Sequence, residues 1–211
     1  MIEQLTNLKV WLNEVLSDGR TAANAVDQLI AQLQPAPPHP VTVAWMSQLG
    51  PDAAYSNSDC GPACLAMWLR SRAKAVTVDQ VSQATGLPRG YHYTLPGNLI
   101  TAAHAFGLEL ARNTALTVDR IKSEIDDGRP VLVLVHYASL FKRYDQNFKA
   151  GHWVLVIGYT EQSIIYHDPY WPDAAGAGVV IPIAQFEIAM KDCTIDGNTP
   201  NQGLVEALTG L

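Results

Sequence analysis

Long apolar runs, basic clusters and cysteine are all scarce in these 211 residues. No apolar stretch approaches the ~20 residues a membrane-spanning helix needs, and Val131-Leu-Val-Leu-Val135 has the length of a buried strand, so no membrane span is expected. Lys and Arg number 14 against 20 Asp and Glu, giving a formal charge of -6. With no basic run anywhere, nucleic acid is not expected as a partner. The N-terminus carries Glu3 and lacks a positive flank ahead of an apolar core. It does not read as a secretory signal, so a cytoplasmic chain as synthesised is expected, with export by another route left open. Three cysteines, Cys60, Cys64 and Cys193, are too few and odd in number for a disulfide framework. At least one free thiol is left to explain. What the chain does have is 48% hydrophobic and only 16% charged residues, enough for one globular domain with a small appendage.

The appendage comes first. Leu5, Leu8, Leu12 and Val15, then Val26, Leu29, Ile30 and Leu33 beyond Asp18-Gly19, repeat at helical spacing, so residues 1–34 read as a helical hairpin. Four prolines between Pro35 and Pro40 cannot continue a helix and make 35–40 a stiff linker. The hairpin has an apolar seam that could dock on its own domain, pair with a partner or a second copy, or lie over a cleft. The domain proper, 41–211, begins with an extended stretch, Val41–Trp45, and a polar loop. A helix then opens at Cys60, with Asp59 at the N-cap position, Pro62 in the first turn, and Ala63, Met67, Leu65 and Leu69 on inward rows. Helices over Thr77–Thr85, Pro96–Phe106 and Val118–Asp127 each end at a glycine. Val131–Tyr137, Trp153–Tyr159, Ser163–His167 and Gly178–Ile183 are short, rich in Val, Ile and Tyr, and read as strands. Helices first and adjacent strands second predict an α+β fold, a helical lobe packed on an antiparallel sheet.

The chemistry starts from Cys60. A thiol is nucleophilic as thiolate, and the N–H groups and dipole at a helix N-terminus favour negative charge there. Acyl transfer also needs a base to take and return the proton, and a third group to fix the imidazole tautomer. His152 opens one strand and Asp168 closes the next, and antiparallel pairing sets the start of a strand beside the end of its hairpin partner. Gln48, twelve positions before the cysteine, offers a side-chain N–H to complement the Cys60 backbone N–H as an oxyanion donor.

Gln48, Asp59-Cys-Gly-Pro-Ala-Cys-Leu-Ala-Met67, Gly151-His-Trp-Val-Leu-Val-Ile-Gly158 and Asp168-Pro169 together resemble cysteine-peptidase family thirty-nine, over roughly residues 43–190. Those are papain-like peptidases best known for removing double-glycine leader peptides from bacteriocins. The resemblance implies a papain-like fold, Cys60 as nucleophile, His152 as base, Asp168 as its orienting carboxylate and Gln48 in the oxyanion hole. It implies a thiol protease of bacterial or phage type that needs no cofactor. The substrate it implies is a peptide or protein, either a leader peptide or a peptidoglycan cross-peptide.

Each residue has a plainer reading beside this one. Cys60 could be a small buried residue at a helix start. Cys64, one turn on, reads as core or as a redox partner of Cys60. A zinc site using Cys60, Cys64 and a histidine lacks the second close ligand pair that structural zinc recruits. His167 sits next to Asp168 in a strand, so it should face away from the site, and His136 reads as a hydrogen-bonded rim residue. His92 lies between two tyrosines in a loop, and Trp153 is expected beside the base, shielding it. Residues 138–151 are longer than a hairpin turn needs and end at the base, so they are expected to flank the cleft and to set specificity. The resulting expectation is a cysteine peptidase or amidase acting through a Cys-His-Asp triad and an acyl-enzyme. A papain-like acyltransferase and a non-catalytic peptide-binding module are the alternatives.

Overall fold

A computed structural model of the chain describes residues 41–53, 55, 57–88, 93–193 and 205–211. The expected hairpin 1–34, the linker 35–40 and His92 lie outside the described residues.

Helix α1, Cys60–Ser71, is the centre of the helical side: Gly61 to Leu69 are all buried, on every face rather than on two rows. A helix apolar all round is covered all round. Helix α2, Val78–Ala84, starts at a capping box, in which the Thr77 hydroxyl accepts from the Gln80 N–H at 3.1 Å and the Gln80 side chain accepts from the Thr77 N–H at 2.9 Å. Helix α3, Pro96–Ala105, opens with proline in its first turn, and α4, Val118–Asp126, is capped by the Thr117 hydroxyl at 3.2 Å from the Arg120 nitrogen. Gly86, Gly107 and Gly128 follow these three helices with φ between 72° and 75°, as the glycine stops predict. The central helix stops differently. Ala73, at φ 59°, takes the left-handed position, while the Lys74 and Ala73 N–H groups bond back to Leu69 and Arg70.

Among the described residues the sheet has six strands in the order β1-β6-β2-β3-β4-β5, every neighbouring pair antiparallel. They are β1 Leu110–Asn113, β2 Val131–His136, β3 Gly151–Tyr159, β4 Ser163–His167, β5 Val179–Pro182 and β6 Glu206–Gly210. Alternation along β2 and β3 sends Leu132, Leu134, Trp153 and Leu155 into the core beneath α1 and α3. Val131, Val133, Val135, Val154 and Val156 face the other way, into a second core closed by α4 and by α5, Ile183–Lys191. Burial on both faces is why β2 is a continuous apolar run instead of an alternating one.

The α+β class with an antiparallel sheet is what the sequence predicts, and helices on both faces are an addition. Other boundaries differ for physical reasons. The expected strand ending at Ile183 stops at Pro182, which has no N–H to extend a ladder, and Ile183 opens α5 instead. Strands β1 and β6 were not foreseen, since Leu-Ala-Arg-Asn and Glu-Ala-Leu-Thr-Gly have little strand preference. They are secured by pairing with each other and by a two-point ion pair, with Arg112 Nε 2.8 Å from Glu206 Oε2 and Nη2 2.5 Å from Oε1. Val41–Trp45 is extended but is not a strand, touching the sheet through the Val41 N–H on the Ile157 carbonyl at 2.8 Å.

Candidate active site

Cys60 begins α1 and is half-buried. Asp59 occupies the N-cap position, yet its side chain does not cap. It turns back to the preceding loop, where Oδ2 accepts the Tyr55 N–H at 2.8 Å and Oδ1 the Ser82 hydroxyl at 2.9 Å. Burial pushes this carboxyl up, and those two bonds pull against the shift. The first helical bond runs from the Ala63 N–H to the Asp59 carbonyl, and Pro62 has no N–H to offer. The N–H groups of the opening turn at Cys60 and Gly61 are thus not taken by a capping side chain.

His152 is the second residue of β3, opposite Val135 of β2, and is almost fully buried. Asp168 follows β4 directly and is buried outright. The β3–β4 hairpin pairs Leu155 with His167, and this register carries the carboxylate to the ring: His152 Nε2 lies 2.8 Å from Asp168 Oδ1. With Nε2 engaged, Nδ1 is the ring nitrogen left for a partner, and Cys60 lines the same pocket as the ring. Burial disfavours the imidazolium, but the Asp168 charge, its hydrogen bond and the Cys60 contact outweigh it and push the His152 pKa up to about 9.

Asp168 is held from every side. Oδ1 also accepts the Tyr170 N–H at 2.9 Å, an Asx-turn, and Oδ2 accepts the Trp171 indole N–H at 3.1 Å. Its backbone N–H donates to the Gly176 carbonyl and its carbonyl accepts the Trp45 indole N–H, both at 2.8 Å. Gly176 permits that approach, because a Cβ there would fall 2.2 Å from the Asp168 oxygen. The segment before Gln48 is laced to the same turn. Ser47 donates its hydroxyl to the Trp171 carbonyl, and the Gln48 N–H donates to the Pro169 carbonyl at 2.8 Å.

Gln48, Cys60 and His152 line one pocket of about 240 Å3, with Asn57, Tyr93, Phe148, Gly151 and Tyr170 completing its wall. Asp168 sits behind His152, outside that wall. All four residues singled out in the sequence therefore meet. Phe148 and Gly151 come from the long 138–151 segment, which flanks the pocket as expected.

The ring neighbours of His152 are Tyr137, Tyr170 and Phe148, with centroids at 4.8, 6.0 and 6.3 Å. Trp153 is not among them, contrary to expectation. Neighbouring strand residues face opposite ways, so Trp153 lies under α1, where a Cβ on Gly61 would meet its ring at 3.0 Å, and it donates its indole N–H to the Thr94 carbonyl at 2.9 Å. His167 does face away: one ring nitrogen meets the Val43 carbonyl at 2.8 Å and the other accepts the Gly178 N–H at 3.0 Å. Burial lowers its pKa. His136 bonds the Ser139 hydroxyl at 2.8 Å on the rim. Cys64 is core, its thiol 3.4 Å from the Trp153 carbonyl, and burial pushes that thiol well up. Cys193 is buried in the same core. Among the described residues no three His, Cys, Asp or Glu side chains are grouped as a metal ion would need.

Tyr137, Tyr170, Trp45, Trp171 and Gly176 escaped the sequence reading. Only the Asx-turn at Asp168 had a local signal, an aspartate with a backbone N–H two residues on.

Among solved structures, a Bacillus anthracis protein described as a C39-like peptidase matches with 16% identity over 84% of this chain and 98% of its own, at a TM-score of 0.57. A double glycine motif protease from an AMS/PCAT transporter, solved in complex with the leader peptide, matches with 22% identity over 85% and 100%, at 0.50. The peptidase domain of Streptococcus ComA, a bifunctional ABC transporter involved in a quorum sensing pathway, matches with 17% identity over 81% and 99%, at 0.51. At these identities the likeness is one of fold. No curated protein matches the chain in sequence. A family model does: residues 41–191 match the Peptidase_C39 like family, and the chain belongs to that family.

Proposed function

We propose that the protein is a cysteine peptidase or amidase in which Cys60, His152, Asp168 and Gln48 form one catalytic site. The observation that carries this reading is the engagement of His152 Nε2 by Asp168 at 2.8 Å while the same ring lines one pocket with Cys60 at the opening of α1. His152 Nδ1 takes the thiol proton, and the thiolate attacks the carbonyl carbon of a peptide bond. The carbonyl oxygen takes the electron pair, held by the Cys60 backbone N–H and the Gln48 side-chain amide. Collapse of the tetrahedral species expels the amine, which leaves with the proton from His152, and a thioester remains. Water, deprotonated by the same imidazole, adds to the thioester, and the second collapse releases the acid and restores the thiol. Asp168 holds the ring in the Nε2–H tautomer throughout. No cofactor enters these steps.

The substrate class is a peptide, and a leader-type segment is supported by the leader peptide in complex with one structural neighbour. The aromatic wall of Tyr93, Phe148 and Tyr170 supports apolar contacts to the chain flanking the bond. The test is alkylation of Cys60 by iodoacetamide from pH 4 to 10, read by mass spectrometry, in the wild type and in His152→Ala. Labelling of Cys60 at pH 6 that slows in His152→Ala is the expected result, followed by cleavage of leader-type peptides that depends on both residues. Equal labelling in the two proteins would remove the thiol–imidazole pair and the reading with it. Adding an amine acceptor to the cleavage assay separates hydrolysis from acyl transfer by the product formed.

A further inference from the structure

Trp171 touches neither Cys60 nor His152 in any hydrogen bond, yet three parts of the site meet on it. Its indole N–H reaches Asp168 Oδ2 at 3.1 Å, the carboxylate oxygen that His152 does not use. Its carbonyl accepts the Ser47 hydroxyl, one residue before Gln48. Its ring is held by the 138–151 segment, with the Lys142 ammonium 5.2 Å from a ring centroid and the Tyr144 ring 5.8 Å away. Lys142 is itself fixed by donating to the Ala175 carbonyl at 2.8 Å, next to Gly176.

A carboxylate that orients an imidazole through one oxygen can still rotate about the bond to its own Cβ. Oδ1 is fixed by His152 and by the Tyr170 N–H, and Trp171 supplies the donor on Oδ2. A hydrogen bond to a buried charge is stronger than one between neutral groups and is directional. We propose, resting on the catalytic reading above, that Trp171 is a positioning residue: its indole N–H locks the Asp168 carboxylate, and hence the His152 ring, in the working orientation. The Lys142 ammonium and the Tyr144 ring keep the indole in place, so the loop that walls the pocket also braces the base from behind.

The test is the rate of Cys60 alkylation at pH 6 in the full-length protein, which reads the thiol–imidazole pair without a substrate, in four variants: His152→Ala, Asp168→Ala, Trp171→Phe and Asp168→Ala with Trp171→Phe. Phenylalanine keeps an aromatic face for Lys142 and Tyr144 and drops the donor. Slowing by about tenfold in Trp171→Phe, with no further slowing when it is added to Asp168→Ala, is the expected result, because a group acting through Asp168 has nothing to add once that side chain is gone. On peptide substrate the same variant should lose kcat with KM held within about twofold, which a general loosening of the cleft would not produce. If phenylalanine unfolds the protein, benzothienylalanine at position 171 keeps the bicyclic shape and replaces the N–H with sulfur. Unchanged labelling in Trp171→Phe beside slowed labelling in Asp168→Ala would overturn the proposal and leave the catalytic reading standing, as would equal slowing in both backgrounds. Unchanged labelling in His152→Ala would overturn both.

Discussion

His152 gives Nε2 to Asp168 Oδ1 at 2.8 Å, which leaves its second ring nitrogen, Nδ1, for the proton transfer with Cys60 that the proposed chemistry requires. The proton that the proposed chemistry moves is the one on that second nitrogen. With the His152 pKa pushed up to about 9, the imidazolium needed to protonate a leaving amine persists to that pH. The basic limb of kcat/KM is therefore expected near pH 9. Asp168→Asn removes the charge that raises it, so the limb should move to lower pH, and a limb that stays in place would dissociate Asp168 from the titration.

The same shift bears on stability. The ordinary pKa of 6.5 is raised in the folded chain, so His152 stabilises the fold fully below about pH 6.5 and this contribution is lost as the pH rises through about 9. Urea unfolding of the wild type and His152→Ala at pH 6 and at pH 10 checks this. The difference between the two proteins should favour the wild type more at pH 6.

Gly176→Ala places a methyl group 2.2 Å from the Asp168 carbonyl oxygen and 2.9 Å from both Trp171 Cβ and Trp45 Nε1. The Asp168 oxygen cannot yield without moving the backbone that carries the carboxylate. We expect a loss of about 1–3 kcal/mol on urea unfolding, the usual range for overpacking, with a fall in kcat beyond what the surviving folded fraction explains.

Gln48→Ala leaves the thiol and its base intact and removes one of the two proposed oxyanion donors. Loss of such a donor elsewhere lowers kcat by about 100- to 1000-fold. Here kcat should fall on that scale while Cys60 alkylation at pH 6 proceeds as in the wild type. Slowed alkylation would mean that Gln48 supports the nucleophile itself.

Ala73 occupies the left-handed position that ends α1, at φ 59°, without the freedom of glycine. Ala73→Gly should stabilise the protein by about 1 kcal/mol on urea unfolding and leave kcat and KM unchanged, since the residue lies at the opposite end of the helix from Cys60.

The parts of the site legible in the sequence were those set by short-range rules. Pro62 in a first turn located the helix start that carries Cys60, and strand pairing brought His152 to Asp168. Asp59 shows where such rules stop. Its position at the N-cap was readable, but the side chain follows partners at Tyr55 and Ser82, the latter 23 residues away. Trp153 adjoins His152 in sequence, which suggests a place beside the base, but strand alternation sends it to the opposite face, into the core under α1. Trp45, Trp171 and Gly176 carried no signal at all: a tryptophan in a loop is compatible with any packing, and a glycine there usually marks a turn. Strands β1 and β6 exist through their pairing, a property of two segments that neither contains alone.

The hydrogen bond from Trp45 to Asp168 spans 123 residues, and that from Ser47 to Trp171 spans 124. Contacts so distant along the chain form only after the intervening loop has been closed, and topologies built on them are slow to assemble. The helix bearing Cys60 leaves the ribosome well before the hairpin that brings His152, and the turn that fixes the Asp168 carboxylate follows later still. On the proposed mechanism a nascent chain thus holds a thiol with no partner to activate it, and chemical competence arrives as one of the last events of folding.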